Sequence, residues 1–169
     1  MRKSINICLY LALAFSLSLN ISAQSTEKEL DQVELMKQWI GTWESEIGDD
    51  SVSIFKCTPL NNGFHFIQEE KFNGNTYATY RGVMGLSDDK KMIIMSFLIP
   101  DGTAVLDVGK FVEKNKYIAD RYFGDITHAT NQLMVEFSPE SLTARFKWRG
   151  KGMNWPKEWG PEIIFKKID

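Results

Sequence analysis

Cysteine and histidine are nearly missing from this chain. Of 169 residues, two are cysteine (Cys8 and Cys57) and two are histidine (His65 and His128). A catalytic zinc site generally takes three protein ligands, and neither histidine lies at ligand spacing from another donor; His-Glu-x-x-His is absent, so no metal is expected. A haem needs only one axial histidine, but nothing beside His65 or His128 points to one, and no cofactor is expected. Gly-x-Ser-x-Gly, the phosphate-binding P-loop and Gly-x-Gly-x-x-Gly are also absent. Positive charge is not in excess: 20 Lys and Arg stand against 22 Asp and Glu. A mildly acidic chain lacks the electrostatic footprint for nucleic acid or an anionic membrane surface.

Long apolar runs are confined to the start. Arg2 and Lys3 precede the apolar stretch Leu9 to Leu19, and Ile21-Ser22-Ala23 places small residues before Gln24. This is the pattern of a secretory leader cleaved after Ala23. A retained anchor would need about 20 apolar residues, and Ser16, Ser18 and Asn20 interrupt this run. The reading is therefore residues 1–23 as signal peptide, residues 24–169 as one domain, no membrane span, and a secreted or periplasmic location. Removing 23 of 169 residues leaves 146, enough for a single core. Losing Arg2 and Lys3 takes the basic count from 20 to 18 and the net charge to −4. Cys57 is then alone and cannot form an internal disulfide, so stability has to come from packing. After residue 23 no Asn begins an Asn-x-Ser/Thr triplet, which favours a bacterial exterior over a eukaryotic secretory route.

One helical stretch is predicted, over 24–40. Leu30, Val33, Leu35, Met36, Trp39 and Ile40 recur at helical spacing, with Ser25 or Thr26 as the cap and Gly41 as the stop. Beyond Gly41 the period changes to two. Strands are predicted over 42–47, 52–58, 63–72, 76–86, 91–99, 103–112, 116–123, 131–137, 141–149 and 161–167. Turn clusters such as Gly48-Asp49-Asp50, Asn73-Gly74-Asn75 and Pro100-Asp101-Gly102 separate them. With no helix between strands, a parallel sheet is disfavoured. The fold class is all-β: an antiparallel meander barrel of 8–10 strands with a short N-terminal helix. Closure buries one face of every strand and removes the sheet edges. A sandwich is the alternative, although it usually needs longer crossovers. The longest unassigned stretch, Gly150 to Gly160, carries Trp155 and Trp159 and reads as a rim loop or lid.

Polar residues on otherwise apolar strand faces are the candidate site. Gln68 and Glu70 alternate with Phe64 and Phe66. Arg81 shares a face with Tyr77 and Val83, Asp107 with Val105 and Phe111, and Arg121 with Tyr117 and Phe123. Trp148 continues the face of Leu142, Ala144 and Phe146. If these faces point inward, they make an aromatic cavity whose few charges fix a ligand's polar end, with Arg81 or Arg121 on an acidic head. The competing arrangement is internal pairing, Arg81 with Glu70 or Arg121 with Asp107, inside a filled barrel. Cys57, between apolar neighbours, reads as an inert buried thiol. Glu69, Glu70, Asp107, Asp120 and Asp125 are the carboxylates from which acid–base chemistry would have to draw.

Ile40-Gly41-Thr42-Trp43-Glu44, after a short helix and at the first strand, resembles the Gly-x-Trp opening of lipocalin-like (calycin) barrels. The resemblance implies a helix or 3₁₀ turn closing one end, and structural roles for Gly41 and Trp43. The segment from Gly63 to Phe97, with Arg81-Gly82-Val83-Met84-Gly85-Leu86-Ser87-Asp88-Asp89-Lys90-Lys91, is similar to the bacterial lipocalin-like family of unknown function DUF1579. The Arg that lipocalins stack on this Trp has no evident counterpart, since strand 161–167 offers only Lys166 and Lys167. The expectation is an exported, non-enzymatic barrel that binds a small apolar or amphipathic molecule through Phe66, Gln68, Glu70, Arg81, Asp107, Arg121 and Trp148. The alternatives are a protein-binding envelope module (an inhibitor or accessory subunit) with a side-chain-filled barrel, and a hydrolase or isomerase using inward carboxylates. Neither the ligand nor the oligomeric state is legible.

Overall fold

The computed structural model describes residues 29–169. The expected leader and residues 24–28 lie outside that range. Helix α1 (Gln32–Met36) runs into a 3₁₀ turn (Lys37–Trp39), and ten strands follow: β1 (Gly41–Gly48), β2 (Ser51–Leu60), β3 (Gly63–Phe72), β4 (Asn75–Leu86), β5 (Ile93–Leu98), β6 (Ala104–Glu113), β7 (Lys116–Phe123), β8 (Asn131–Phe137), β9 (Ser141–Trp148) and β10 (Ile163–Lys167). Each strand pairs antiparallel with the next, and β10 returns to β1, closing the barrel. The predicted meander is therefore present and the sandwich is not. Among the described residues no helix is long and apolar enough to cross a membrane.

The helix is shorter than the apolar spacing predicts. Asp31 is its cap, accepting from the backbone N–H groups of Val33 and Glu34, both at 3.1 Å. This satisfies two N–H groups that a first turn leaves unpaired, and Ser25 and Thr26 are not needed for it. Nor does Gly41 end the helix. Ile40 is already extended, and Gly41, at φ 135°, opens β1 in a conformation that other residues rarely adopt.

Gln32 and Trp39 explain why the helix stays on the barrel. β5 begins at Ile93, opposite Gly109, so the Phe111 backbone lies beyond its reach on that side of β6. The buried Gln32 amide takes both groups, accepting from Phe111 N at 2.7 Å and donating to Phe111 O at 3.1 Å. Trp39 enters the barrel and packs edge-on against Phe137, Tyr117 and Phe55, with centroids 4.9, 5.7 and 5.8 Å apart. Edge-on aromatic packing adds to simple area burial, so the helix carries an aromatic plug for one end.

A meander sends alternate links to opposite ends. The β2–β3, β4–β5, β6–β7 and β8–β9 links gather at the plugged end, where Gln38 donates to Lys114 O at 2.8 Å. The remaining links surround the other end, the mouth. One inward glycine sets the wall's thickness there. A Cβ on Gly82 would lie 2.5 Å from Phe66 Cζ and 2.6 Å from Phe97 Cβ, so its bare backbone is what lets both rings turn into the barrel.

Candidate functional site: a cavity inside the barrel

The barrel is only partly filled. Above the Trp39 plug lies a cavity of about 430 Å³, within the range of small-molecule sites. Its lower wall is apolar: Trp39, Phe55, Phe66, Val135 and Leu142. Toward the mouth it gains Phe97, Phe123 and Phe146, together with four polar side chains: Gln68, Glu70, Tyr80 and Arg121.

Two polar groups of β3 stand on one wall. β3 runs from the plugged end to the mouth, so Phe66, Gln68 and Glu70 climb the wall in that order. Gln68 donates to Ser53 Oγ at 3.0 Å. Tyr80, opposite Gln68 in the β3–β4 register, sits beside the Glu70 carboxylate. Burial first, then the negative charge of Glu70 and a hydrogen bond to it, push the Tyr80 phenol up to about 12. Tyr80 therefore stays protonated and neutral at physiological pH.

Arg121 faces this wall from β7. Its Nε and Nη2 each donate to a carboxylate oxygen of Asp107, both at 2.7 Å, a bidentate geometry suited to a planar guanidinium. The two residues are register partners across β6 and β7. The Asp107 side chain is fully buried and Arg121 is 16% exposed. The guanidinium also lies 5.3 Å from the ring centroids of both Phe97 and Phe146. Arg121 is thus held by one carboxylate and two rings, and only part of its donor set faces the cavity.

Of the residues singled out from sequence, Phe66, Gln68, Glu70 and Arg121 line the cavity. Asp107 stands behind Arg121 as its partner, which is the internal pairing weighed above. Arg81 does not join them. In β4 the even-numbered Ala78, Tyr80, Gly82 and Met84 turn inward, and Arg81 is exposed on the outer wall between Ile67 and Leu98. Both faces of β4 carry apolar residues, so alternation alone does not say which one is inside. Trp148 has the inward parity of β9, but it stands 65% exposed at the mouth, stacked near Phe146 with centroids 6.3 Å apart. Tyr80, Phe97, Phe55 and Trp39 are among the lining residues that sequence reasoning did not assign to the site.

Gly41 opens β1, and Trp43 lies in the core beside the plug. Trp43 is 2% exposed and donates its indole N–H to Trp39 O at 3.0 Å. The cation over its ring is Lys167, its register partner on β10, with Nζ 5.3 Å from the centroid.

Neither histidine reaches the cavity. His65 turns outward, and His128 lies in the β7–β8 link with a buried Nε2 that has no partner among the described residues. No cluster of three metal-ligating side chains occurs among the described residues. The inward carboxylates, Asp107 and Glu70, stand three strands apart. Glu69 pairs with Lys71 at 3.4 Å, Asp120 accepts from Gln132 at 3.1 Å, and Asp125 caps Thr127.

No known protein-family profile matches the chain, and no curated protein matches it either. The crystal structure of Rv2717c from M. tuberculosis does. It superimposes with a TM-score of 0.59 at 9% sequence identity, over 83% of this chain and 99% of that one. At that identity the likeness is one of fold: a lipocalin-like antiparallel barrel.

Cys57 is buried next to Gly41 and Phe66. Burial pushes its thiol from 9.0 up to about 12, so it is protonated at neutral pH and a poor nucleophile. The unfolded chain ionises this thiol near pH 9 while the folded chain does not. Its contribution is therefore constant below pH 9 and is lost as pH rises from 9 toward 12. Urea denaturation at pH 8 and pH 10 should show a stability drop smaller by about 1.4 kcal/mol in Cys57→Ala than in the parent. Equal drops in both proteins would mean that the thiol titrates normally.

Proposed function

We propose that this protein is an exported lipocalin-like carrier that binds a small apolar or amphipathic molecule inside its barrel. The cavity carries the proposal: a space of about 430 Å³, aromatic and aliphatic below, with its polar groups gathered toward the mouth. Burial of apolar ligand surface would supply most of the affinity, and the polar groups would set orientation. Kinship with DUF1579, on the segment around Arg81 to Lys91, and cleavage after Ala23 belong to the same proposal.

The protein-binding alternative is the weaker reading. It calls for exposed Trp155 and Trp159 over a filled barrel. Instead Arg149 covers the Trp155 ring at 4.0 Å and Lys147 the Trp159 ring at 4.5 Å, which holds both indoles half-buried against the outer wall of β9. The enzymatic alternative calls for paired inward carboxylates, and among the described residues the cavity lining holds one, Glu70.

A neutral fluorescent apolar probe, N-phenyl-1-naphthylamine, tests the proposal. It should bind the parent protein with an emission increase. Ala144→Phe and Ile163→Trp, register partners on β9 and β10 that both line the cavity, should each weaken binding by about tenfold or more while the melting transition stays cooperative. Undiminished binding in both filled variants would place the probe elsewhere and remove the proposal.

A further inference from the structure

The charges of the cavity add up in a way that selects its ligand. Among the described residues the lining contains one cation, Arg121, and one carboxylate, Glu70. The positive charge of Arg121 is already matched by Asp107 through two 2.7 Å bonds. Arg81, the other arginine expected to meet an acidic head, is on the outside. Among the described residues Glu70 has no cationic partner: the ion pair within β3 joins Glu69 and Lys71, on the opposite face. Its neighbours Tyr77 and Tyr80 are phenols, which donate hydrogen bonds without cancelling charge. The unbalanced charge at the polar end of the cavity is therefore negative.

We infer that the ligand is an amphiphile whose polar end donates hydrogen bonds, a primary amine or an alcohol, and that free fatty acids are disfavoured. The inference rests on the binding reading above and reverses the acidic head group expected from sequence. An ammonium or hydroxyl group reaching the level of Glu70 would donate to its carboxylate. The guanidinium N–H groups left over from Asp107 would take a neutral acceptor such as the alcohol oxygen. A carboxylate head would meet Glu70 in a half-buried setting where like charges repel more strongly than in water.

Displacement of N-phenyl-1-naphthylamine by decylamine, decanol and decanoate at pH 7 tests this, because the three share a chain and differ only at the head. The expected order is amine, alcohol, carboxylate, with about tenfold or more between first and last, since a hydrogen bond to a charged group is stronger than one between neutral partners. Glu70→Gln should shrink the amine-to-carboxylate ratio by about tenfold, each displacement being read against that variant's own probe affinity. Asp120→Asn, on the outer wall, should leave the ratio unchanged and serves as a control for net charge. Decanoate binding as tightly as decylamine, or a ratio unmoved by Glu70→Gln, would overturn the inference while the binding reading stands. A probe that never binds the parent would overturn both.

Discussion

Arg121→Met is expected to destabilise the barrel by about 3–5 kcal/mol at pH 7, the range for breaking one side of a buried ion pair. Asp107 is the reason. Its side chain is fully buried, and both its oxygens accept from Arg121. Nearby, the buried Tyr117 hydroxyl has no hydrogen-bond partner among the described residues, but it is one neutral donor and cannot replace a guanidinium. Without Arg121 the carboxylate is either an isolated buried charge or protonated. Either state costs free energy that the Arg121 pair avoids in the parent. Asp107→Leu should cost less, because Arg121 is partly exposed and remains against Phe97 and Phe146. The double variant, Asp107→Leu with Arg121→Met, should be more stable than Arg121→Met alone, since apolar replacements of a whole buried pair are often neutral or better. Urea denaturation of the four proteins at pH 7 measures all of this. A double variant that loses the full sum of the single losses would show that the pair is not coupled.

The same pair shows what the sequence could and could not reveal. Alternation within β6 and β7 puts Asp107 and Arg121 each among apolar neighbours, and hairpin pairing makes them partners, so the internal pairing was legible. All ten strands were legible for a related reason: each is bounded by turn residues, and a closed barrel requires of each strand only one buried face. Side was harder to read. β4 has Val83 outside, 50% exposed, beside Arg81, and Tyr80 and Met84 inside. Its hydrophobicity is nearly equal on the two faces, and a register slip of one residue would exchange them. Arg81 was therefore assigned to the interior for want of a physical signal. The shortened helix has a different origin. Apolar spacing from Leu30 to Ile40 reflects contact with the barrel end, and the last part of that contact is made by a 3₁₀ turn and an extended Ile40. Burial there is set by the surface the segment covers rather than by a helical repeat of its own.

Trp43→Ala is expected to cost about 3–5 kcal/mol, the range for truncating a buried tryptophan, and to lower the melting temperature by about 10 °C or more. The argument concerns barrel closure as much as volume. The β1–β10 seam has two register pairs, Trp43 with Lys167 and Glu44 with Lys166, where most other neighbouring strands share six or more. Trp43 belongs to that seam and also fastens the plug, through its bond to the Trp39 carbonyl. Its removal opens a cavity beside the weakest joint of the cylinder and loosens the ring that floors the ligand cavity. Trp43→Phe retains most of the apolar contact and gives up the hydrogen bond, at a cost of about 1–2 kcal/mol. If the seam is the joint that matters, amide exchange in Trp43→Ala should accelerate first in β1 and β10 and only later in β6 to β8, and probe affinity should fall with the loss of the Trp39 floor. Exchange that accelerates equally in every strand would show instead that the indole contributes volume alone.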